Sequence, residues 1–208
     1  MSNDDLNMSM ASVVKFKLVF LGDQSVGKSS VIYKYVYDTF EPNANPTIGV
    51  DFVVKTLYYG DNSYKIHFWD TAGQERFKSL IPSYIKDCKA AVIVYDVTNR
   101  QSFEHVEEWY SNIRNESIEE VNIGLLGNKV DCEGRVVQFE EGQALAKKLG
   151  ITFYECSAKT GESLTLFFKE ILENLVKEAE LDSKKKTENG KTLTEGNKKQ
   201  TANKKCLC

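Results

Sequence analysis

A chain of 208 residues with 41% hydrophobic content is long enough for one domain with its own core plus tails. No apolar run approaches the roughly 20 residues that a membrane-spanning helix needs, and the opening stretch MSNDDLNMSMAS is polar and acidic, unlike a signal peptide. The formal charge of −3 is unevenly spread: residues 179–208 hold eight Lys against four acids, a balance of +4 that leaves −7 for the rest, which argues against a nucleic-acid partner.

A cytosolic setting is expected, where the five cysteines stay reduced. Cys88, Cys132 and Cys156 then read as buried or half-buried thiols, and no pair within the domain has the C-x-x-C spacing of a zinc site. Residues 1–13 read as a disordered extension and residues 14–178 as the domain. Residues 179–208 are rich in Lys, Thr, Asn, Glu and Gly and lack aromatics, so they bury too little apolar surface to offset their ordering entropy. They are expected to be a disordered tail.

In chain order, KFKLVFLG is a short continuous apolar run, as expected for a strand covered on both faces, and SSVIYKYVY behind it is helical. VDFVVKTLYYG and SYKIHFWD flank the turn signal Gly60-Asp61-Asn62 and read as a hairpin. AAVIVYDV, VNIGLLGN and ITFYECS repeat the buried-strand pattern. From Ser163 to Ala179, Leu164, Phe167, Phe168, Ile171, Leu172, Leu175 and Val176 recur at helical steps. The alternation predicts an α/β fold: a six-stranded, mostly parallel sheet with one antiparallel strand and helices on both faces.

Four stretches carry chemistry. Gly22-Asp23-Gln24-Ser25-Val26-Gly27-Lys28-Ser29 fits G-x-x-x-x-G-K-[ST] between a strand and a helix. There successive N–H groups and the helix N-terminus cradle phosphate. Lys28 would reach the β- and γ-phosphates, and the Ser29 hydroxyl would bind Mg²⁺. Asp70-Thr71-Ala72-Gly73-Gln74 ends a strand at the carboxyl edge, where open α/β sheets bind ligands. Asp70 can hold Mg²⁺ through water, and Gly73 lets its amide approach the γ-phosphate. Asn128-Lys129-Val130-Asp131 ends another strand. The Asp131 carboxylate suits guanine's N1–H and exocyclic amine, which adenine cannot offer. Ser157-Ala158-Lys159 follows the strand ITFYEC and could add a backbone N–H to the guanine oxygen.

GDQSVGKS, the threonine of PTIG, WDTAGQERF, NKVD and SAK, in this order, resemble the small GTPases of the Ras superfamily across residues 14–178. IGVDF, WDTAGQERF and the cysteine-containing end resemble the Rab branch, and FKSLIPSYIKD looks most like its Golgi-associated Rab-six subgroup. The resemblance implies a phosphate loop and first helical turn over Gly22 to Ser30, contacted by Gln24, Ser25, Val26, Gly27, Lys28, Ser29 and Ser30. It implies GTP or GDP with Mg²⁺ held by Ser29 and Thr47, Asp70 standing behind them. Phe40 would stack on guanine, Asn128, Lys129, Asp131, Ser157, Ala158 and Lys159 would enclose the base, and Gln74 would orient the attacking water. Phe52, Trp69 and Tyr84 match an aromatic triad that Rabs present to effectors; taken singly, each could equally be core. The family also implies an exchange factor, an activating protein, escort and dissociation-inhibitor proteins, and a monomer on the cytoplasmic face of an endomembrane, with a cytosolic pool when extracted.

The chain departs from the pattern in three places. EPNANP between Phe40 and Thr47 lacks the aromatic residue that Rabs often carry, and Pro42 and Pro46 restrict a segment expected to switch. Gln24 stands where Ras proteins have glycine, and Lys86 where the subgroup usually has arginine. No arginine lies between Asp38 and Thr47, so slow intrinsic turnover is expected, with an activating protein supplying the missing charge. An ATP-using kinase with the same phosphate loop would need an arginine-rich lid, which a chain with four Arg lacks. A non-hydrolysing nucleotide-binding scaffold is the second alternative. The ending KKCLC is not a C-a-a-X box, since only two residues follow Cys206. It matches the Rab C-x-C endings, on which Cys206 and Cys208 would both be geranylgeranylated.

Overall fold

The structure, a computed structural model, describes residues 13–59, 62–73 and 80–195, with side chains as far as residue 181. Strand β1 (Val14–Leu21) leads through the phosphate-loop motif into α1 (Lys28–Tyr37), followed by β2 (Val50–Tyr59), β3 (Asn62–Thr71) and α2 (Ile81–Ile85). Then come β4 (Ala90–Asp96), α3 (Arg100–Glu104), α4 (Val106–Glu116), β5 (Asn122–Asn128), α5 (Phe139–Leu149), β6 (Thr152–Glu155) and α6 (Leu164–Glu195). The six strands form one sheet in the order β2-β3-β1-β4-β5-β6. The β2–β3 pair is antiparallel and every other pair is parallel, as the sequence predicts.

Side chains alternate across a strand, so the sheet divides the core into two layers. Leu18, Phe20, Ile66, Phe68, Val92 and Val94 face Val31 and Ile32 of α1 and the apolar stripe of α6. Val19, Leu21, Ala91, Ile93 and Tyr95 face Ile85 of α2, Val106, Trp109 and Ile113 of α4, and Ala146 of α5. Every apolar position that the periodicity singles out in α6 is buried. Gly124 of β5 makes room for that stripe: a Cβ there would stand 2.7 Å from the Phe167 ring.

The α6 backbone runs on to Glu195, past the end of its apolar stripe at Ala179 and into the segment where the sequence reading begins the disordered tail. The packed half of the helix supplies the costly nucleus, and extending it adds one hydrogen bond per residue fixed. Residues 1–12 and 196–208 lie outside the described residues, and so do Gly60, Asp61 and the stretch 74–79. Among the described residues no helix is long and apolar enough to cross a membrane.

Phe168 joins α6 to both neighbours. It is fully buried, stacks on Tyr35 of α1 with ring centroids 3.9 Å apart, and meets Phe68 of β3 edge-on at 5.8 Å. Phe168→Ala is expected to cost about 3–5 kcal/mol. Urea unfolding would read this as a lower midpoint at unchanged slope; an unchanged midpoint would mean that α6 does not hold this layer together.

Candidate functional site

The loops that leave β1, β3, β5 and β6 at their carboxyl ends surround a cavity of about 560 Å³. Gln24, Ser25, Gly27, Lys28, Ser29, Ser30, Phe40, Thr47, Gly73, Asn128, Lys129, Asp131, Ala158 and Lys159 line it, so nearly all the residues singled out from sequence meet in one place. Val26, Asp70 and Ser157 stand just behind and touch the lining residues by hydrogen bond. Gln74 lies outside the described residues, as do Cys206 and Cys208.

The phosphate-loop motif adopts the tight conformation its glycines allow. Gly27 has φ 97°, and a Cβ on it would sit 2.4 Å from Asn128 Nδ2. Ser25, with φ 63°, also holds a left-handed conformation, which costs a non-glycine residue energy and tends to occur where function requires the backbone shape. Lys28 is buried, and its Nζ donates to the Gly22 carbonyl at 2.9 Å and the Asp23 carbonyl at 2.8 Å. Burial pushes its ammonium down to about 8, while the nearby Asp70 and Asp23 charges act in the opposite sense. A cation held this way is short of a counter-charge, and an anion in the cavity would supply it.

Beside it three oxygens converge. Asp70 Oδ2 accepts from Ser29 Oγ at 2.5 Å and from Thr47 Oγ1 at 3.0 Å, and the two hydroxyls are 2.8 Å apart. Burial raises the Asp70 carboxyl, opposed by these hydrogen bonds and the Lys28 charge. Its other oxygen, Oδ1, is buried with no hydrogen-bond partner among the described residues. A set of hard oxygen donors with one unsatisfied carboxylate atom fits Mg²⁺, which binds through one or two carboxylates and completes its shell with water and phosphate. Pro42 and Pro46 do not keep the EPNANP segment off the site: Glu41, Pro42, Ala44, Asn45 and Pro46 all line the cavity.

At the opposite end Asn128 is buried and joins three loops. Its Nδ2 donates to the Val26 carbonyl at 2.9 Å, and its Oδ1 accepts from the Ala158 amide at 3.0 Å. Of the backbone N–H groups of Ser157-Ala158-Lys159, the stretch expected to reach the guanine oxygen, that of Ala158 is therefore engaged within the protein. Asp131 is aimed by Ser157, whose Oγ donates to Asp131 Oδ1 at 2.6 Å. Lys129 has φ 72°, and its Nζ pairs with Asp96 Oδ2 at 2.6 Å.

The aromatic triad forms a ridge beside the site. Trp69 lies 5.9 Å from Phe52 on one side and 5.9 Å from Tyr84 on the other, by ring centroids. Trp69 and Tyr84 are half-buried against the second core layer, whereas Phe52 is 62% exposed. Sequence reasoning missed Asp96, Cys132 as a lining residue, and a contact of Asp23 with His105 and Trp109. The Asp23 contact joins residues 82 and 86 positions apart, which no local pattern announces.

A glycine-wrapped loop at a strand end, a buried lysine seeking an anion and a magnesium-ready hydroxyl pair define a phosphate-loop nucleotide-binding domain. Residues 17–177 match the family model described as Ras family, and the chain belongs to that family. Ras-family domains are small GTP-binding switches that bind GTP or GDP with Mg²⁺, hydrolyse GTP and work with exchange factors, activating proteins and effectors.

Within that class, the aimed Asp131 sets a test of base recognition. Asp131→Asn removes the charged acceptor and is expected to weaken GTP binding by about 2–3 kcal/mol, roughly a hundredfold. Relative affinity for xanthine nucleotides should rise, because the amide complements a xanthine edge. Competition titration reads both; unchanged GTP affinity would remove Asp131 from the base site.

Proposed function

We propose that this chain is a Rab-type GTPase that recruits effectors to an endomembrane, with the Golgi as its compartment. The observation that carries the reading is the register between nucleotide site and aromatic ridge. Trp69 is the neighbour of Asp70 on β3, and it pairs across the ladder with Phe52 while Asp70 pairs with Asp51. Asp70, which Thr47 reaches from ahead of β2, thus stands one rung from the Phe52–Trp69 pair on one hairpin. Whatever holds Thr47 against Asp70 also holds the ridge in shape.

In this proposal Gln24 to Ser30 wrap the phosphates through their backbone amides, and Lys28 places its charge on the β- and γ-phosphates. Ser29 and Thr47 face the magnesium, which when bound offsets phosphate charge, and Asp70 orients both hydroxyls. Phe40, part-buried against the first core layer, supplies a ring face to the base. Asn128 and Ser157 fix the loops from which Asp131, Lys129 and Ala158 enclose it. Gly73 lets its amide approach the terminal phosphate, and Gln74 aligns the attacking water. Loss of that phosphate releases Thr47 and Gly73, and the ridge loses its support. With no arginine between Asp38 and Thr47, an activating protein supplies the charge that speeds hydrolysis.

Gln74→Leu keeps the phosphate and base contacts and removes the water-aligning amide. Single-turnover assays with an activating protein are expected to show retained GTP binding and a rate about 10³-fold lower. Equal rates would favour the non-hydrolysing scaffold.

The ending KKCLC supports a membrane role through geranylgeranyl groups on Cys206 and Cys208, delivered by an escort protein and shielded by a dissociation inhibitor in the cytosolic pool. One lipid chain binds reversibly and a second makes attachment durable, at ~0.8 kcal/mol per buried CH₂. Lys198, Lys199, Lys204 and Lys205 each add about 1 kcal/mol near an anionic leaflet. Cys206→Ser with Cys208→Ser should move the protein to the soluble fraction with GTP binding intact, and either change alone should weaken attachment. Fractionation that leaves the double variant on membranes would refute the anchor.

A further inference from the structure

We propose that His105 and Trp109 are positioning residues for the phosphate loop, and that they set how well the site tells a nucleoside triphosphate from a diphosphate. The inference rests on the GTP/GDP reading of the site. His105 caps the start of α4, and Trp109 lies one turn further on. Residues four apart share a helix face, and here both reach the second residue of the phosphate loop. Trp109 Nε1–H donates to Asp23 Oδ1 at 2.9 Å. His105 Nδ1 lies 2.7 Å from Asp23 Oδ2; because a carboxylate can only accept, that nitrogen carries the proton. A single turn of α4 therefore holds both oxygens of one carboxylate, a two-point grip that fixes direction as well as distance.

The gripped residue is central to the site. The Asp23 carbonyl accepts from Lys28 Nζ at 2.8 Å. Gly73 packs directly on the same peptide: a Cβ on Gly73 would lie 2.4 Å from the Asp23 carbonyl carbon and oxygen and 2.5 Å from the Gln24 nitrogen. The Asp23–Gln24 peptide is thus held through its side chain by α4 and through its carbonyl by Lys28, and its face is the seat of Gly73. Gly73 serves the terminal phosphate, which a diphosphate lacks. Gly27 to Ser30 serve the phosphates that both nucleotides carry. Loosening Asp23 shifts the Gly73 seat and penalises the triphosphate more than the diphosphate. The grip also has a downstream side, because α4 packs on α2, which carries Tyr84 of the aromatic ridge.

A purely packing role for Trp109, which is 3% exposed in the second core layer, predicts something different. A weakened fold would lower affinity for both nucleotides alike, since both bind only the folded state. The test therefore reads a ratio. Dissociation constants for GDP and for a non-hydrolysable GTP analogue, with Mg²⁺, are measured on the full chain and on Trp109→Phe, which keeps an aromatic ring, though a smaller one, and removes the donor. The ratio is expected to move against the triphosphate by about tenfold, the lower end of what one lost hydrogen bond to a charged group costs. His105→Ala should shift it in the same direction. His105→Gln, whose amide N–H can replace the imidazole donor, should restore it. Asp23→Ala should give the full shift, and adding Trp109→Phe to it should change nothing more. Equal weakening of both nucleotides, an unchanged ratio in Trp109→Phe and His105→Ala, or an additive double variant would overturn the proposal. A wild-type chain that binds neither nucleotide would instead overturn the reading of the site itself.

Discussion

One side-chain amide holds the site together. Asn128 sits at the end of β5 and spends its donor on the phosphate loop, at the Val26 carbonyl, and its acceptor on the loop after β6, at the Ala158 amide. The Cys156 thiol also leans on Oδ1 at 3.5 Å. The three loops come from three strands, and each alone would have to pay its own ordering entropy. Joined through a buried amide, they order as one, since removing one partner leaves the others unsatisfied in a low-dielectric interior. Gly27 has to be a glycine for the same reason: the amide occupies the space a Cβ would take.

Two arginines extend this framework around the back of the base loop. Arg100 makes a bidentate pair with Glu141 at 2.7 and 3.0 Å and donates to the Val136 carbonyl at 2.5 Å. Arg135 makes another with Glu155 at 2.7 and 2.8 Å. The Arg100 guanidinium holds the Glu141 carboxyl down to about 2, so this contact's contribution is present above the ordinary carboxylate range and is lost as pH falls toward that value. The connection from Asp131 to α5 has little regular structure, and these planar pairs give it the definition that secondary structure gives elsewhere.

The sequence was most informative where one residue type had one physical use. Continuous apolar runs of β1, β4 and β5 could only be strands buried on both faces, and the glycines of the phosphate loop could only be there for a backbone shape. Asn128 was legible as a site residue, but its clasp between three loops was not, because the partners lie 102 and 30 positions away. The Asp23 grip was illegible because an acid, a histidine and a tryptophan far apart in the chain have too many alternative uses for spacing to choose among them. The reach of the α6 backbone was not legible for a different reason. Apolar periodicity reports where a helix packs, and it is silent on how far a nucleated helix continues into solvent.

The placement of β2 has a mechanical consequence. It is the outermost strand, bound by one ladder to β3, and it carries Phe52, Val54 and Tyr58 on its exposed side. The interior of the fold is built from β1, β4 and β5, whose residues fill both core layers. The segment from Glu41 to Gly49, just ahead of β2 and beside the phosphate site, holds none of the buried core residues. Rearrangement of that segment is a matter of single hydrogen bonds such as those of Thr47 to Ser29 and Asp70, while β2 itself stays on its ladder to β3. A domain arranged like this can alter its outline many times without ever approaching its unfolding transition.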